Sequence, residues 1–332
     1  MSKFKWILND RERLSLLPIQ HETIWGFRKK IVSLHWTAQE IDLSKDKYDW
    51  DNKLTPEERD FIRYQLAFFA RIDIDVLENL DLNFGQEVDC MEANMVYCAQ
   101  KDQECVHAES YGLQIQAVLE NSERDETLNA VRHLPVITSM REWVLQWFNP
   151  SLSIGDRLVA FGVIEGVLFS ASFSALQWLR EKNVLCGITL ANSFIARDEG
   201  IHTLFTCVLI REYLIEKPSQ DRVEQIFDSA LDIIDGFVDI SLPSPLTGMN
   251  AELMKQYVRF QASCIMQDMG YIEKYKVLNP FPFMDKLSLN EISKTNFFEL
   301  RATEYQTVVD SNANNLSFDQ TMDYNYIETK TL

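Results

Sequence analysis

The sequence predicts an all-α fold, a four-helix bundle with additional helices packed around it. Three observations carry that expectation. Only 11 Gly and 9 Pro punctuate 332 residues, too few for the many turns of a β protein. Apolar residues recur at helical spacing, as in Phe61, Leu66, Phe69, Ile72 and Val76. Two Glu-x-x-His pairs, Glu104/His107 and Glu199/His202, lie far apart in the chain, and one such pair from each of two helices can line a shared bundle interior.

Composition narrows the class. With 46% hydrophobic and 25% charged residues, the chain reads as a soluble globular protein with a sizeable core. A net charge of −18 opposes binding to a phosphate backbone, so nucleic acid is not an expected partner. The six cysteines form no Cys-x-x-Cys pair, which fits free thiols in a reducing, cytoplasmic compartment. There is no leader-like apolar run at the N-terminus and no uncharged run of spanning length, so no membrane association is expected. Residues 1–50 are expected to be an arm packed on a helical domain at 51–300, and 301–332 a flexible tail, polar and without a helical stripe.

Along the chain, residues 24–31 suit a short helix, and Trp36-Thr37-Ala38-Gln39-Glu40 reads as a helix start with Thr37 as cap. Leu54-Thr55-Pro56-Glu57-Glu58 is a cleaner start, with Pro56 at the first helical position. A long helix follows, and Asp73, Asp75 and Glu78 are its candidate acids; spacing does not rank Asp73 above Asp75. The next helix is expected from about 87 to 120, with a turn at 121–124. One helix is then expected from about 126 to 147. Ser153 opens a helix that is apolar almost all round and runs to about 181, interrupted by Glu165. Further helices are expected at about 187–216, 219–240 and 250–275, followed by irregular chain through Met284.

The chemistry gathers on a few positions. At about 100° per residue, Glu104 and His107 lie about 60° apart on one helix face, and Tyr111 returns to within about 20° of Glu104. Glu165 sits in so apolar a run that ligation is its best explanation, because buried acids are rarely unpaired. Carboxylates with imidazoles suit iron or manganese, and the absence of thiolates argues against structural zinc. Phe169 and Phe173, four and eight residues after Glu165, and Ile195, four before Glu199, can face such a site and keep it dry. Tyr111 beside it becomes a candidate for oxidation to a stable radical. Trp36, taken alone, reads as a core anchor.

Several stretches together resemble one family. They are Trp36 to Asp46, Leu66-Ala67-Phe68-Phe69-Ala70, Glu104-Cys105-Val106-His107, Arg197 to His202, Asn279 to Met284 and Thr295-Asn296-Phe297-Phe298-Glu299. From about Leu17 to Gln306 the chain is similar to the class I ribonucleotide reductase small subunit of the eukaryotic and eukaryotic-virus type. The resemblance implies a ferritin-like bundle and two iron ions, or manganese, held by Asp73, Glu104, His107, Glu165, Glu199 and His202. It also implies a tyrosyl radical on Tyr111, and radical transfer through Trp36, Asp198 and the tail residue Tyr305 to a large subunit that reduces ribonucleotides. A homodimer is common in that family. Tails of this type commonly finish with acidic residues and a terminal Phe, whereas this one ends Glu328-Thr329-Lys330-Thr331-Leu332. A cognate large subunit with a matching groove is therefore the expected partner.

Overall fold

The computed structural model describes residues 13–80, 84 and 87–284, without the side chains at 71, 73, 75, 77–79 and 130–132. The chain divides into two units, Met1–Glu291 and Ile292–Leu332; the structure below is that of the first. Its described elements are helical, with a single isolated bridge between Leu246 and Met249.

The helices are α1 (Glu22–Ser33), α2 (Asp46–Asn52), α3 (Pro56–Asn79), α4 (Met91–Val118), α5 (Asn121–Arg132), α6 (Pro135–Gln146), α7 (Ile154–Val163), α8 (Ser170–Glu181), α9 (Cys186–Val208), α10 (Gln220–Ser241) and α11 (Ala251–Asp268). Their starts follow the capping chemistry of the sequence. The Thr55 amide donates to Glu58 Oε2 at 3.0 Å and the Glu58 amide to Thr55 Oγ1 at 3.2 Å, a capping box ahead of Pro56. Ser153, Ser219 and Asn250 cap α7, α10 and α11 through their side-chain oxygens. Thr37 and Glu40 also form a capping box, but the helix they open is a single 3-10 turn, Ala38–Glu40.

Four expected boundaries are corrected. Asn121 and Ser122 begin α5 instead of forming a turn, since polar residues of this kind suit a helix start as well as a turn. The single helix expected from 126 to 147 is two, because Pro135 lacks an N–H and restricts Leu134 to extended backbone, so the chain restarts with proline near the head of α6. The last helix stops at Asp268, short of 275, where Gly270 takes a positive φ of 88° and the Tyr271 amide returns to Met266 O at 2.9 Å. Most important for the site, the apolar helix after Ser153 is interrupted: Ile164–Leu168 is one turn of π-helix between α7 and α8, and Glu165 lies on it. Single π turns inside helices recur at functional sites because the extra residue re-aims the side chains there.

The core is a bundle of α3, α4, the α7–π–α8 rod and α9. Helix α3 packs on α4, and α9 packs on α7, the π turn, α8 and α4, while α10 and α11 cover the outer side of the rod. The span Ile154–Glu181 is long and apolar enough to cross a membrane, yet 94% of its most apolar stretch is buried inside the protein, as befits a central core helix. Residues 46–49 of the arm are built into the bundle. Asp46 accepts hydrogen bonds from the amides of Gly187 (3.1 Å) and Ile188 (2.7 Å), and Asp49 from that of Leu185 (3.1 Å). Two buried carboxylates thus sit at the positive end of α9 and fix its first turn.

Candidate metal centre

Glu104 and His107 come from α4, one turn apart; Glu165 comes from the π turn, and Glu199 and His202 from α9. Donor atoms of Glu104, Glu165, Glu199 and His202 all lie within 4.8 Å of one another, and all four residues are buried. His107 joins them, with Nδ1 3.2 Å from Glu104 Oε2 and 3.0 Å from Glu199 Oε1. His202 Nδ1 is 3.1 Å from Glu104 Oε1 and 3.4 Å from Glu199 Oε2.

Both imidazoles are turned the same way. Nδ1 faces the carboxylates, while Nε2 faces an oxygen behind the ring: Asp198 Oδ2 at 3.4 Å for His107, and Gln103 Oε1 at 2.8 Å for His202. Those oxygens accept only, so each ring carries a proton on Nε2, and a ring that gives up its second proton presents the Nδ1 lone pair to the cluster. A ligating histidine is ordinarily oriented in this manner.

The donor set fits a cation on a further count. Among the described residues, Glu104 Oε1, Glu165 Oε2, both Glu199 oxygens and His202 Nδ1 are buried without a hydrogen-bond partner, whereas buried polar atoms are as a rule paired. The local electrostatics agree. Burial favours raising Glu104, yet the flanking imidazoles hold it down at about 2. Burial opposes charge on His202, but Glu104 and Glu199 push it up to about 10. His107 is raised well above its ordinary value by Asp198, Glu104 and Glu199, again against burial. Glu165 is driven well up by burial, with His202 opposing and the Glu199 and Glu104 charges adding to the rise. Hard oxygens with imidazole nitrogens, closely set and buried, suit iron or manganese.

From this cluster a hydrogen-bonded path leads outward. Trp36 Nε1 donates to Asp198 Oδ2 at 2.8 Å, the oxygen that also faces His107, and the indole lies over the His107 ring with centroids 6.3 Å apart. Arg197 donates to Asp198 Oδ1 from Nε (3.0 Å) and Nη2 (2.9 Å), and is itself held by Leu34 O. Burial favours raising Asp198, but Arg197, His107 and Trp36 keep it below the usual carboxylate range.

Tyr111 is fully buried on α4, one turn past His107. Its ring stacks on Phe69 at 4.7 Å with 7° between planes, and Phe69 in turn packs against Phe169 (5.6 Å) and Phe173 (4.8 Å). Ile195 is buried on α9, one turn before Glu199. Asp73 is on α3, but its side chain lies outside the described residues, as do Tyr305 and the tail.

Four supporting residues escape a reading of the sequence alone. Phe69 is four residues before Asp73, Gln100 four before Glu104 and Gln103 four before His107, so each sits one turn along the same face. Gln100 Nε2 donates to Glu165 Oε1 at 2.6 Å. Arg197 adjoins Asp198 in the chain, and nothing in its spacing reveals its orienting contact.

Residues 13–280 match the family described as ribonucleotide reductase, small chain. The ribonucleoside-diphosphate reductase small chain of African swine fever virus is 40% identical over 314 residues, covering 92% of this chain and 95% of that one. A ribonucleoside-diphosphate reductase small chain of Arabidopsis thaliana is 43% identical over 296 residues, covering 89% and 88%. The solved Rnr4 homodimer of the ribonucleotide reductase from Saccharomyces cerevisiae superposes with a TM-score of 0.76 at 28% identity, over 90% of this chain and 91% of that one. With its all-α, ferritin-like fold and this buried carboxylate and histidine cluster, the protein belongs to the ribonucleotide reductase small-chain family, the small subunit of an oxidoreductase.

Proposed function

We propose that this subunit stores a tyrosyl radical on Tyr111 and hands its oxidising equivalent to a large subunit, which reduces ribonucleoside diphosphates to deoxyribonucleotides for DNA synthesis. The observation that carries the proposal is the buried path Trp36–Asp198–His107 ending on the carboxylate cluster one turn from Tyr111. A pair of iron ions, or manganese in their place, would be held by Asp73, Glu104, His107, Glu165, Glu199 and His202 and would supply, with dioxygen, the one-electron oxidation of the phenol.

The protein's own residues do the rest. Phe69, Phe169 and Phe173 seal the phenol from water, which keeps a neutral radical from being quenched. Asp198 holds a fixed negative charge beside the Trp36 N–H, where positive charge develops when the indole gives up an electron. Its grip on the His107 Nε2 proton keeps that ring in the orientation the cluster requires. Tyr305 would carry the equivalent across the tail to the partner.

Iron(II) and dioxygen added to the metal-free protein should give a tyrosyl signal in paramagnetic resonance. Tyr111→Phe should bind the same amount of metal and lose that signal; a variant retaining it refutes the assignment. We further propose that residues 301–332 dock on the large subunit, so a peptide of this segment should compete with subunit assembly, and a peptide without effect removes the tail from that role. A second copy of this chain is proposed to pack on α4, whose exposed residues Met95, Cys98, Asp102, Cys105, Glu109 and Gly112 recur at alternating steps of three and four, the spacing of a helix-pairing seam. None of the six cysteines is in a disulfide, and we propose a cytoplasmic location.

A further inference from the structure

A cavity of about 50 Å³ adjoins the carboxylates, between the π turn, α9, α11 and the short 3-10 segment Pro282–Met284. Glu165 and Glu199 form its floor, and Thr203, Tyr257 and Gln261 line its wall. Such a space holds a short file of waters, each needing ~10–15 Å³ of it, and falls far below the ~300 Å³ of a site for an organic substrate. Among the described ligands, it touches Glu165 and Glu199. Glu165 and Glu199 each keep 2% exposure, while His107 and His202 keep none. Gly166 and Ala196, also in the lining, are half-buried and mark the mouth.

The lining mixes apolar side chains, Phe173 and Met284, with polar ones. Thr203 Oγ1 is buried without a hydrogen-bond partner among the described residues, and Gln261 Nε2 donates to Tyr257 Oη at 2.7 Å, a pair of polar side chains on one face of α11. The passage is also tight. A Cβ at Gly166 would lie 2.4 Å from Ile265 Cδ1 and 2.8 Å from Thr203 Cγ2, so the walls stand at backbone distance.

Resting on the metal-centre reading above, we infer that this cavity is the port by which hydrated divalent cations enter, and that Glu165 and Glu199 are the first ligands they meet. Dioxygen, being apolar, has no need of hydroxyl, amide and carboxylate walls; a cation shedding water does. Thr203 and Gln261 supply oxygens that replace part of the hydration shell on the way in.

The test is the rate of filling, independent of turnover. Metal-free full-length protein is mixed anaerobically with iron(II) or manganese(II), and uptake is timed by quenching with a chelator. Ala196→Phe, which narrows the mouth, should slow both uptake and release by about tenfold or more, the signature of a higher barrier with an unchanged end state; the final number of ions per chain should equal the wild type. Gln261→Leu, which removes polarity at nearly constant size, gives a second route to the same result where Ala196→Phe does not fold. Wild-type rates in the folded variants overturn the port. A reduced final stoichiometry overturns it as well, because the residue then belongs to the binding site itself. Failure of the wild-type chain to take up any ion is a different outcome and overturns the metal centre beneath it.

Discussion

Replacing Asp198 by Asn tests the centre most sharply, because the substitution keeps size while removing the charge and turning one acceptor end into a donor. The carboxylate takes two hydrogen bonds from Arg197 on Oδ1 and faces Trp36 Nε1 and His107 Nε2 with Oδ2. An amide has one acceptor end. Pointed at Arg197, it turns its NH₂ toward two N–H groups. The indole cannot adapt, but the imidazole can: it moves its proton to Nδ1 and accepts on Nε2. That shift removes the lone pair aimed at Glu104 and Glu199. Loss of an orienting partner of this kind typically costs about 10–100-fold in metal affinity, or ~1.4–2.8 kcal/mol. The metal-free fold also suffers, since one buried donor loses its acceptor at ~1–3 kcal/mol. Equilibrium competition of manganese(II) or iron(II) against a chelator reads the effect. One of two ions should weaken by the stated factor while the other holds. Trp36→Phe is the control, because it deletes a donor without disturbing His107, and its affinities should stay near wild type. Two unweakened ions in Asp198→Asn, or two equally weakened, refute the tautomer argument.

Two further outcomes follow from contacts away from the cluster. Glu92 is fully buried and accepts from Arg13 Nη1 at 2.9 Å on each oxygen and from the Gln20 amide at 2.9 Å, tying residues 13–20 to α4. Burial favours raising its pKa, but the Gln20 amide and Arg13 bring it below the ordinary carboxylate value. The folded state therefore binds this proton less readily than the unfolded one, so the stabilisation is present above about pH 4.5 and fades as pH falls through the lower folded pKa. Glu92→Gln should lose ~3–5 kcal/mol at pH 7, the cost of stranding a buried partner, and the gap to wild type in thermal melts should narrow as pH falls through the lowered folded pKa; a gap that persists unchanged in acid excludes Glu92 as its source. On the exposed seam of α4, Cys98→Arg should convert a dimer to a monomer by light scattering with helicity retained, and an unchanged mass would place the subunit contact elsewhere.

What is legible in the sequence, and what is not, divides along a physical line. Glu104, His107 and Tyr111, and likewise Glu199 and His202, are readable because a helix fixes angle by counting residues, and each set lies on one element. Glu165 is readable for a different reason, a charge in an apolar run. What spacing within a helix does not encode is how one helix is aimed at the next. The π turn under Glu165 leaves no mark in the hydrophobic pattern, because Ile164, Val167 and Leu168 are buried on either side of it. The inner face of α4 is polar along much of its length, with Gln100, Gln103, Glu104, His107, Ser110 and Gln114 all buried, so the usual apolar stripe is missing where the site is built.

The same division explains why the arm shows so little of its role in its sequence. Residues 1–50 have no long period, and that reads as a surface wrap, yet Asp46 and Asp49 cap α9 and Trp36 reaches Asp198. Capping and relay contacts need one correctly placed side chain and no repeat. Helix α9, which carries both Asp198 and two candidate ligands, is consequently held at its head by α2 and along its flank by the hydrogen bonds Trp36–Asp198 and Arg197–Leu34 O. An arm that holds the head of the candidate ligand helix and also places Trp36 on Asp198 brings both to one carboxylate: Oδ2 serves Trp36 and His107 alike while Arg197 holds Oδ1, so His107 keeps its partner even when the indole is removed.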